Sequence, residues 1–303
     1  MLDQIRDGGK RALARALSRI EAAPDAPETI QLLDAAYAAA RAHTVGLTGP
    51  PGVGKSTLTG ALIEHWRQAG RTVGIIAVDP SSKLTGGALL GDRTRLRTNP
   101  LDQGVFVRSM AARDRLGGLA DLTVAALVLM RALFDLVLVE TVGVGQSETD
   151  VTSAVDTVVL CIQPGAGDAL QFMKAGIVEI PDIVAVTKTD LGATAARAQA
   201  DLAAALDRRQ HAPGDWAVAA IGVSSLKGEG VDALAAAVDR HGTHLAPGLS
   251  VRRHAQAEQW LVQFVRERWG RDGLKRAGVL ALQPGESPFA RLAALGRTLA
   301  VSN

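Results

Sequence analysis

Residues 44–61 run Thr-Val-Gly-Leu-Thr-Gly-Pro-Pro-Gly-Val-Gly-Lys-Ser-Thr-Leu-Thr-Gly-Ala. A short apolar stretch of strand character leads into Gly49-x-x-x-x-Gly54-Lys55-Ser56, and residues that favour a helix follow. Strand, glycine-rich turn, Lys-Ser and helix in that order make the phosphate-binding P-loop. Glycines let the backbone curl tightly enough to aim successive N–H groups at phosphate oxygens. The helix N-terminus adds its partial positive charge. Gly49, Pro50, Pro51, Gly52, Val53, Gly54, Lys55, Ser56 and Thr57 are the candidate phosphate cradle. Lys55 is expected to reach the β- and γ-phosphates and the Ser56 hydroxyl to sit on Mg²⁺. The pattern predicts binding of a nucleoside triphosphate.

Three carboxylates are placed to complete such a site. Asp79 closes an apolar run at Val78-Asp-Pro-Ser-Ser82. Asp92 follows in a segment made pliable by Gly86, Gly87 and Gly91, as a loop that changes shape with its nucleotide must be. Glu140 closes the run Asp135-Leu-Val-Leu-Val and opens into Thr141-Val-Gly143-Val-Gly. An acidic residue at the end of a buried strand opposite a P-loop holds Mg²⁺ directly or through water. Gly143 can approach the γ-phosphate through its backbone N–H. The metal set is therefore Ser56, Asp79, Asp92 and Glu140, and the chemical step is assigned to Lys55, Glu140 and Asp92.

The base is read further along. Ile183-Val-Ala-Val ends in Thr187-Lys188-Thr189-Asp190, where guanine-binding P-loop proteins carry Asn/Thr-Lys-x-Asp. A carboxylate at Asp190 accepts from guanine N1–H and its exocyclic amine, while the Lys188 stem lies along the base. Adenine offers no such donor pair, and sites of this kind discriminate by about 10⁴–10⁵. Ser224-Ser225-Leu226 follows the next apolar run and supplies a second base-contacting loop. GTP or GDP is the expected nucleotide.

The elements that position these residues alternate. Apolar runs at 44–48, 73–78, 104–107, 135–139, 157–162, 182–187 and 217–221 read as strands, with helices at 55–69, 117–133, 168–179 and 192–208. Such a pattern means an α/β fold with a mainly parallel sheet and helices on both faces, its ligand beyond the C-terminal strand ends. Ahead of it, residues 2–22 read as one amphipathic helix with a basic face at Lys10, Arg11, Arg15 and Arg19, suited to packing or to docking a partner. A second helix is expected over 28–42. The division expected is 1–43 as a helical extension, 44–245 as the nucleotide-binding domain and 246–303 as a C-terminal helical arm.

Composition narrows the classes. Of 303 residues, 47% are hydrophobic and 21% charged, ordinary for a soluble globular chain. The net charge of +2 is too balanced for a nucleic-acid binder. One cysteine, Cys161, precludes an internal disulfide and fits a reducing cytoplasm. No apolar run is long enough for a membrane span, and Asp3, Asp7 and Glu21 argue against a targeting peptide.

With these motifs quoted, the sequence resembles the MeaB/ArgK family of P-loop GTPases, chaperones of adenosylcobalamin-dependent acyl-CoA mutases with the methylmalonic aciduria type A protein among them. The likeness rests on Gly49–Ser56, Val78–Ser82, Thr85-Gly-Gly87, Leu90-Gly-Asp-Arg-Thr-Arg95, Glu140–Glu148 and Pro164-Gly-Ala-Gly-Asp168. It implies that Ser56, Asp79, Asp92 and Glu140 surround Mg²⁺, and that residues 165–176 form a mobile switch in which Asp168 and Lys174 report to the mutase. It also implies a homodimer, with helices at 251–270 and 287–300 as the assembly arm. Two departures stand out: Thr187 replaces the usual Asn, and residues 108–118 gain Arg113 and Arg115. Thr187 keeps a hydroxyl able to tie loops together, so weaker guanine binding at most is expected. The rival readings are an ATP-dependent kinase of the ArgK type and a nickel-inserting GTPase. The second requires soft or imidazole ligands, and His241 with His244 is the only close pair.

Overall fold

The computed structural model describes residues 1–80, 98–112, 121–141, 151–165, 181–207 and 214–300, with the side chains of residues 79, 80, 111, 112, 152 and 300 outside the description. Asp92, Gly143, Arg113, Arg115, Asp168, Lys174 and the helix expected at 168–179 lie outside the described residues.

Seven strands form one sheet: β1 (His43–Thr48), β2 (Val73–Pro80), β3 (Val105–Ala112), β4 (Leu136–Glu140), β5 (Thr157–Ile162), β6 (Ile183–Val186) and β7 (Ala219–Gly222). Every pairing is parallel and the order is β3-β2-β4-β1-β5-β6-β7. The expected parallel α/β sheet is what the chain forms. β3 runs to Ala112, beyond the apolar residues 104–107, because its whole length pairs with β2. The chain leaves β1 toward β2, then returns past it from β4 to β5, so β1 is the point where the winding reverses. Ligands of open parallel sheets sit at that point, beyond the strand ends.

Side chains alternate across the strands. Val45, Leu47, Leu136, Leu138, Val159, Cys161, Ile183 and Ala185 share one face. They bury Leu58, Leu62 and Trp66 of α4 (Lys55–Gln68) and Leu234 and Val238 of α7 (Val231–Leu245). On the other face, Leu160, Ile162, Val184 and Val186 cover Leu202 and Leu206 of α6 (Ala193–Asp207). A strand buried on both faces needs apolar residues at every position, which is why these runs are continuous rather than alternating.

The chain divides into two compact units, one of residues 43–117 and 136–247 that holds the sheet, the other of 1–42, 118–135 and 248–303. The second is helical: α1 (Leu2–Asp7), α2 (Gly9–Ala22), α3 (Pro27–Ala38), α5 (Asp121–Leu133), α8 (Leu249–Ala277) and α9 (Pro288–Ala300). The single helix expected over 2–22 is broken at Gly8-Gly9, where Gly9 takes a φ of 58°. α2 buries Leu13, Ala16, Leu17 and Ile20 and leaves Arg11, Arg15 and Arg19 exposed. α8 runs past the Gly270 end expected for it, with that glycine non-helical at φ 64°. Trp260 and Phe264 of α8 are buried; the first carries Arg131 at 5.6 Å from its ring and the second meets Phe289 of α9. Ser287 caps α9 through the backbone N–H groups of Phe289 and Ala290 and bonds Asp34 of α3.

Candidate functional site

The strand register aligns the C-terminal ends: Leu47 lies opposite Glu140, Thr48 opposite Leu160, Ile162 opposite Val186 and Val186 opposite Gly222. The segments that leave β1, β4, β5, β6 and β7 therefore emerge at one level. Gly49 is required there. Its φ is +135°, and a Cβ would stand 2.3 Å from the Cys161 carbonyl oxygen. Gly54 takes φ 104° as the cap of α4, so Lys55 and Ser56 open the helix, where the first N–H groups have no partner within the helix itself.

Lys55 is buried, 7% exposed, and its Nζ donates to the carbonyls of Gly49 at 2.6 Å and Pro50 at 3.1 Å. An ammonium can exchange such carbonyl contacts for phosphate oxygens, and charge-assisted bonds to phosphate are about twice as strong as neutral ones. Ser56 Oγ donates to Glu140 Oε1 at 2.6 Å, and Thr59 Oγ1 donates to Glu140 Oε2 at 3.0 Å. Glu140 is 5% exposed. A hydroxyl and a carboxylate this close, both hard oxygen donors, suit Mg²⁺ with waters filling its other positions. Asp79 is the last residue but one of β2, and its side chain is outside the description, as is all of Asp92. Among the described residues no group of three or more His, Cys, Asp or Glu side chains is arranged to hold a metal.

The loop that follows β6 is tied to the P-loop. Thr187 Oγ1 donates to the Val53 carbonyl at 2.7 Å and lies 3.2 Å from that of Ile162. Lys188 Nζ donates to the Gly52 carbonyl at 2.8 Å and to Gln163 Oε1 at 2.7 Å. The hydroxyl at 187 thus bridges two loops, as expected of it. Asp190 is exposed, and its Oδ1 accepts from Ser224 Oγ at 2.8 Å. Ser224 also pairs with Glu229 through the backbone, which closes the turn carrying Ser225 and Leu226; Leu226 is 82% exposed. The structure brings Gly49–Thr57, Glu140, Thr187, Lys188, Asp190 and Ser224–Leu226 to one end of the sheet.

Cys161 lies beneath this floor. Burial pushes its thiol up to about 12, with Lys55 pulling the other way and Glu140 adding to the rise.

Residues 13–279 match the family described as Methylmalonyl Co-A mutase-associated GTPase MeaB. The chain belongs to the MeaB family. It is a GTPase and binds guanine nucleotide. A putative GTPase of Pyrococcus horikoshii is 40% identical over 264 residues, covering 86% of this chain and 83% of that one. The mitochondrial methylmalonic aciduria type A homolog of Mus musculus is 38% identical over 229 residues, covering 74% and 55%. Among solved structures, one described as LAO/AO transport system kinase superposes with a TM-score of 0.68 at 27% identity, covering 99% and 96%. The MeaB resemblance read from the motifs and the parallel P-loop fold both hold.

Two contacts escaped the sequence. Thr59 stands three residues after Ser56, so it shares that face of α4, and this i, i+3 spacing was the available signal. Gln163 had none.

Proposed function

We propose that the chain is a guanine-nucleotide switch for an adenosylcobalamin-dependent acyl-CoA mutase, gating cofactor loading or protecting and reactivating the mutase. The observation that carries the nucleotide part is the direct bonding of separate motifs at one sheet end: Ser56 to Glu140, Thr187 and Lys188 to the P-loop, and Ser224 to Asp190. The mutase part rests on the family's description.

In this reading Gly49–Thr57 wrap the phosphates and Lys55 neutralises charge that builds on the terminal group. Ser56 and Glu140, with Asp79 and Asp92, hold Mg²⁺, which supplies further charge neutralisation when bound. Gly143 would offer its backbone N–H to the γ-phosphate. Asp190 accepts from guanine, Ser224 orients that carboxylate, and Lys188, Thr187, Ser225 and Leu226 frame the base. None of the described residues is placed as a general base, so turnover by the isolated protein is slow and the partner raises it. Residues 44–245 act as the nucleotide domain behind the 1–43 extension. Residues 246–303 act as the arm of a homodimer in the cytoplasm.

The test compares GTP, GDP and ATP affinity in Mg²⁺, then asks which mutase subunit is retained by the protein in each nucleotide state. Fast GTP turnover that no acyl-CoA mutase changes defeats the switch reading. A second reading, phosphoryl transfer from ATP, follows from the likeness to the LAO/AO transport system kinase. Preference for ATP over GTP would select it.

A further inference from the structure

Gln163 follows β5 directly and belongs to none of the motifs above. Its Oε1 accepts from Lys188 Nζ at 2.7 Å while the same ammonium donates to the Gly52 carbonyl at 2.8 Å. Lys188 is also the only non-glycine residue at positive φ among the described residues, at φ 56° and ψ 43°. That left-handed backbone is unfavourable for a side-chain-bearing residue and persists where surrounding contacts over-determine it. Here the contacts are identifiable: Thr187 is fixed to Val53 on one side, Thr189 N–H donates to the Val223 carbonyl on the other, and the amine is held at its tip.

An ammonium has three N–H donors on a flexible stem. Two meet acceptors from different strand exits among the described residues. Both acceptors are uncharged, and what they set is the direction of the stem. We propose that Gln163 is a positioning residue for nucleotide recognition, acting through Lys188 by holding its stem along the base. The inference rests on the reading of residues 187–190 as the base loop. It adds that the exit of β5 helps to set guanine affinity.

The test uses the full chain, with fluorescent GDP and GTP turnover as readouts. Gln163→Met keeps the side-chain length and removes the acceptor; Gln163→Glu restores an acceptor. Loss of one hydrogen bond to a charged, part-exposed group predicts GDP release and GTP KM raised about 5- to 10-fold in Gln163→Met, with kcat at saturation and the thermal midpoint of the nucleotide-free protein unchanged. Gln163→Glu returns both to within about two-fold of the parent, given the ion pair it forms. In a Lys188→Met background the Gln163→Met effect vanishes, because a residue acting through another contributes nothing once that partner is gone. Parent-like GDP binding by Gln163→Met, or an effect that persists in full without Lys188, overturns the proposal. Asp190→Asn separates the two claims. If it leaves the preference for guanine over xanthine intact, the base-loop reading falls and the proposal with it. If it switches that preference while Gln163→Met is silent, only the proposal falls.

Discussion

The two ends of the sheet are both polar and both hold buried charged groups, Asp156 at one and Lys55 and Glu140 at the other, yet they are built differently. At the N-terminal end, side chains close on one another. Thr44 donates from its backbone and its hydroxyl to Asp156 Oδ2 at 2.8 and 2.7 Å, and Asp156 N–H returns a bond to Thr44 Oγ1. Thr157 Oγ1 sits 2.7 Å from both His241 Nδ1 and His43 Nε2, and His241 reaches Asp182 at 3.4 Å. Asp182 in turn caps Val158 N–H at 2.8 Å. At the C-terminal end the side chains bond loops to one another instead: Lys55 donates to the Gly49 and Pro50 carbonyls, Lys188 to the Gly52 carbonyl and Gln163, and Glu140 and Asp190 accept from the hydroxyls of Ser56, Thr59 and Ser224. Satisfied networks of the first kind rigidify and fix register. Bonds between loops are the second kind, and a ligand that enters among the loops can exchange them. Burial of charge alone does not mark a functional site; what the charge is bonded to does.

That contrast can be broken by exchanging the damage at the two ends. Lys55→Ala is expected to lower GTP hydrolysis by about 10²–10³-fold while the thermal midpoint moves little, read by phosphate release and calorimetry on one preparation. Asp156→Ala should do the reverse. Thr44 N–H and hydroxyl lose their acceptor in a fully buried place, so stability falls by about 2–4 kcal/mol while the folded fraction binds GDP as before. If Asp156→Ala binds GDP poorly at temperatures where it is folded, the two ends are not independent.

Within the C-terminal end, Asp190→Asn should weaken GTP by about 10- to 100-fold and favour xanthosine triphosphate, whose altered base presents an acceptor where guanine has an amine. The smallest effect sharpens the comparison most. Thr187→Val removes a hydroxyl that bridges to Val53 and should cost about 1 kcal/mol of nucleotide affinity, whereas Thr187→Asn should hold or improve it. Equal losses in both variants would mean that the bridge is not what position 187 contributes.

Much of this was legible in the sequence, and the exceptions share a cause. Strand runs such as 157–162 were read to the residue because a strand buried on both faces leaves an unbroken apolar signature. The turn at Gly49–Thr57 and the loops at Thr187–Asp190 and Ser224–Leu226 could be placed at strand ends because their residues are contiguous and local backbone geometry dictates their types. Boundaries that depend on tertiary contact were not: β3 continues to Ala112 through pairing with β2, and the helix at 2–22 breaks at Gly8-Gly9. Helix α7 escaped the list of expected helices although its face at Leu234 and Val238 is among the most buried. At the site, Thr59 meets Glu140 across 81 positions and Gln163 meets Lys188 across 25. A single Thr or Gln has no signature of its own, and only the fold brings such partners together.

The sole sulfhydryl, Cys161, has an ionisation pushed to about 12 and no exposed surface. Thiolate is the reactive form, so this group is silent toward maleimides at neutral pH. A cysteine introduced elsewhere on the surface would then be the single reactive handle on the wild-type background, and dyes or spin labels could be placed without first deleting the native one. Labelling of Cys161 itself becomes a clock for opening of the floor beneath the P-loop.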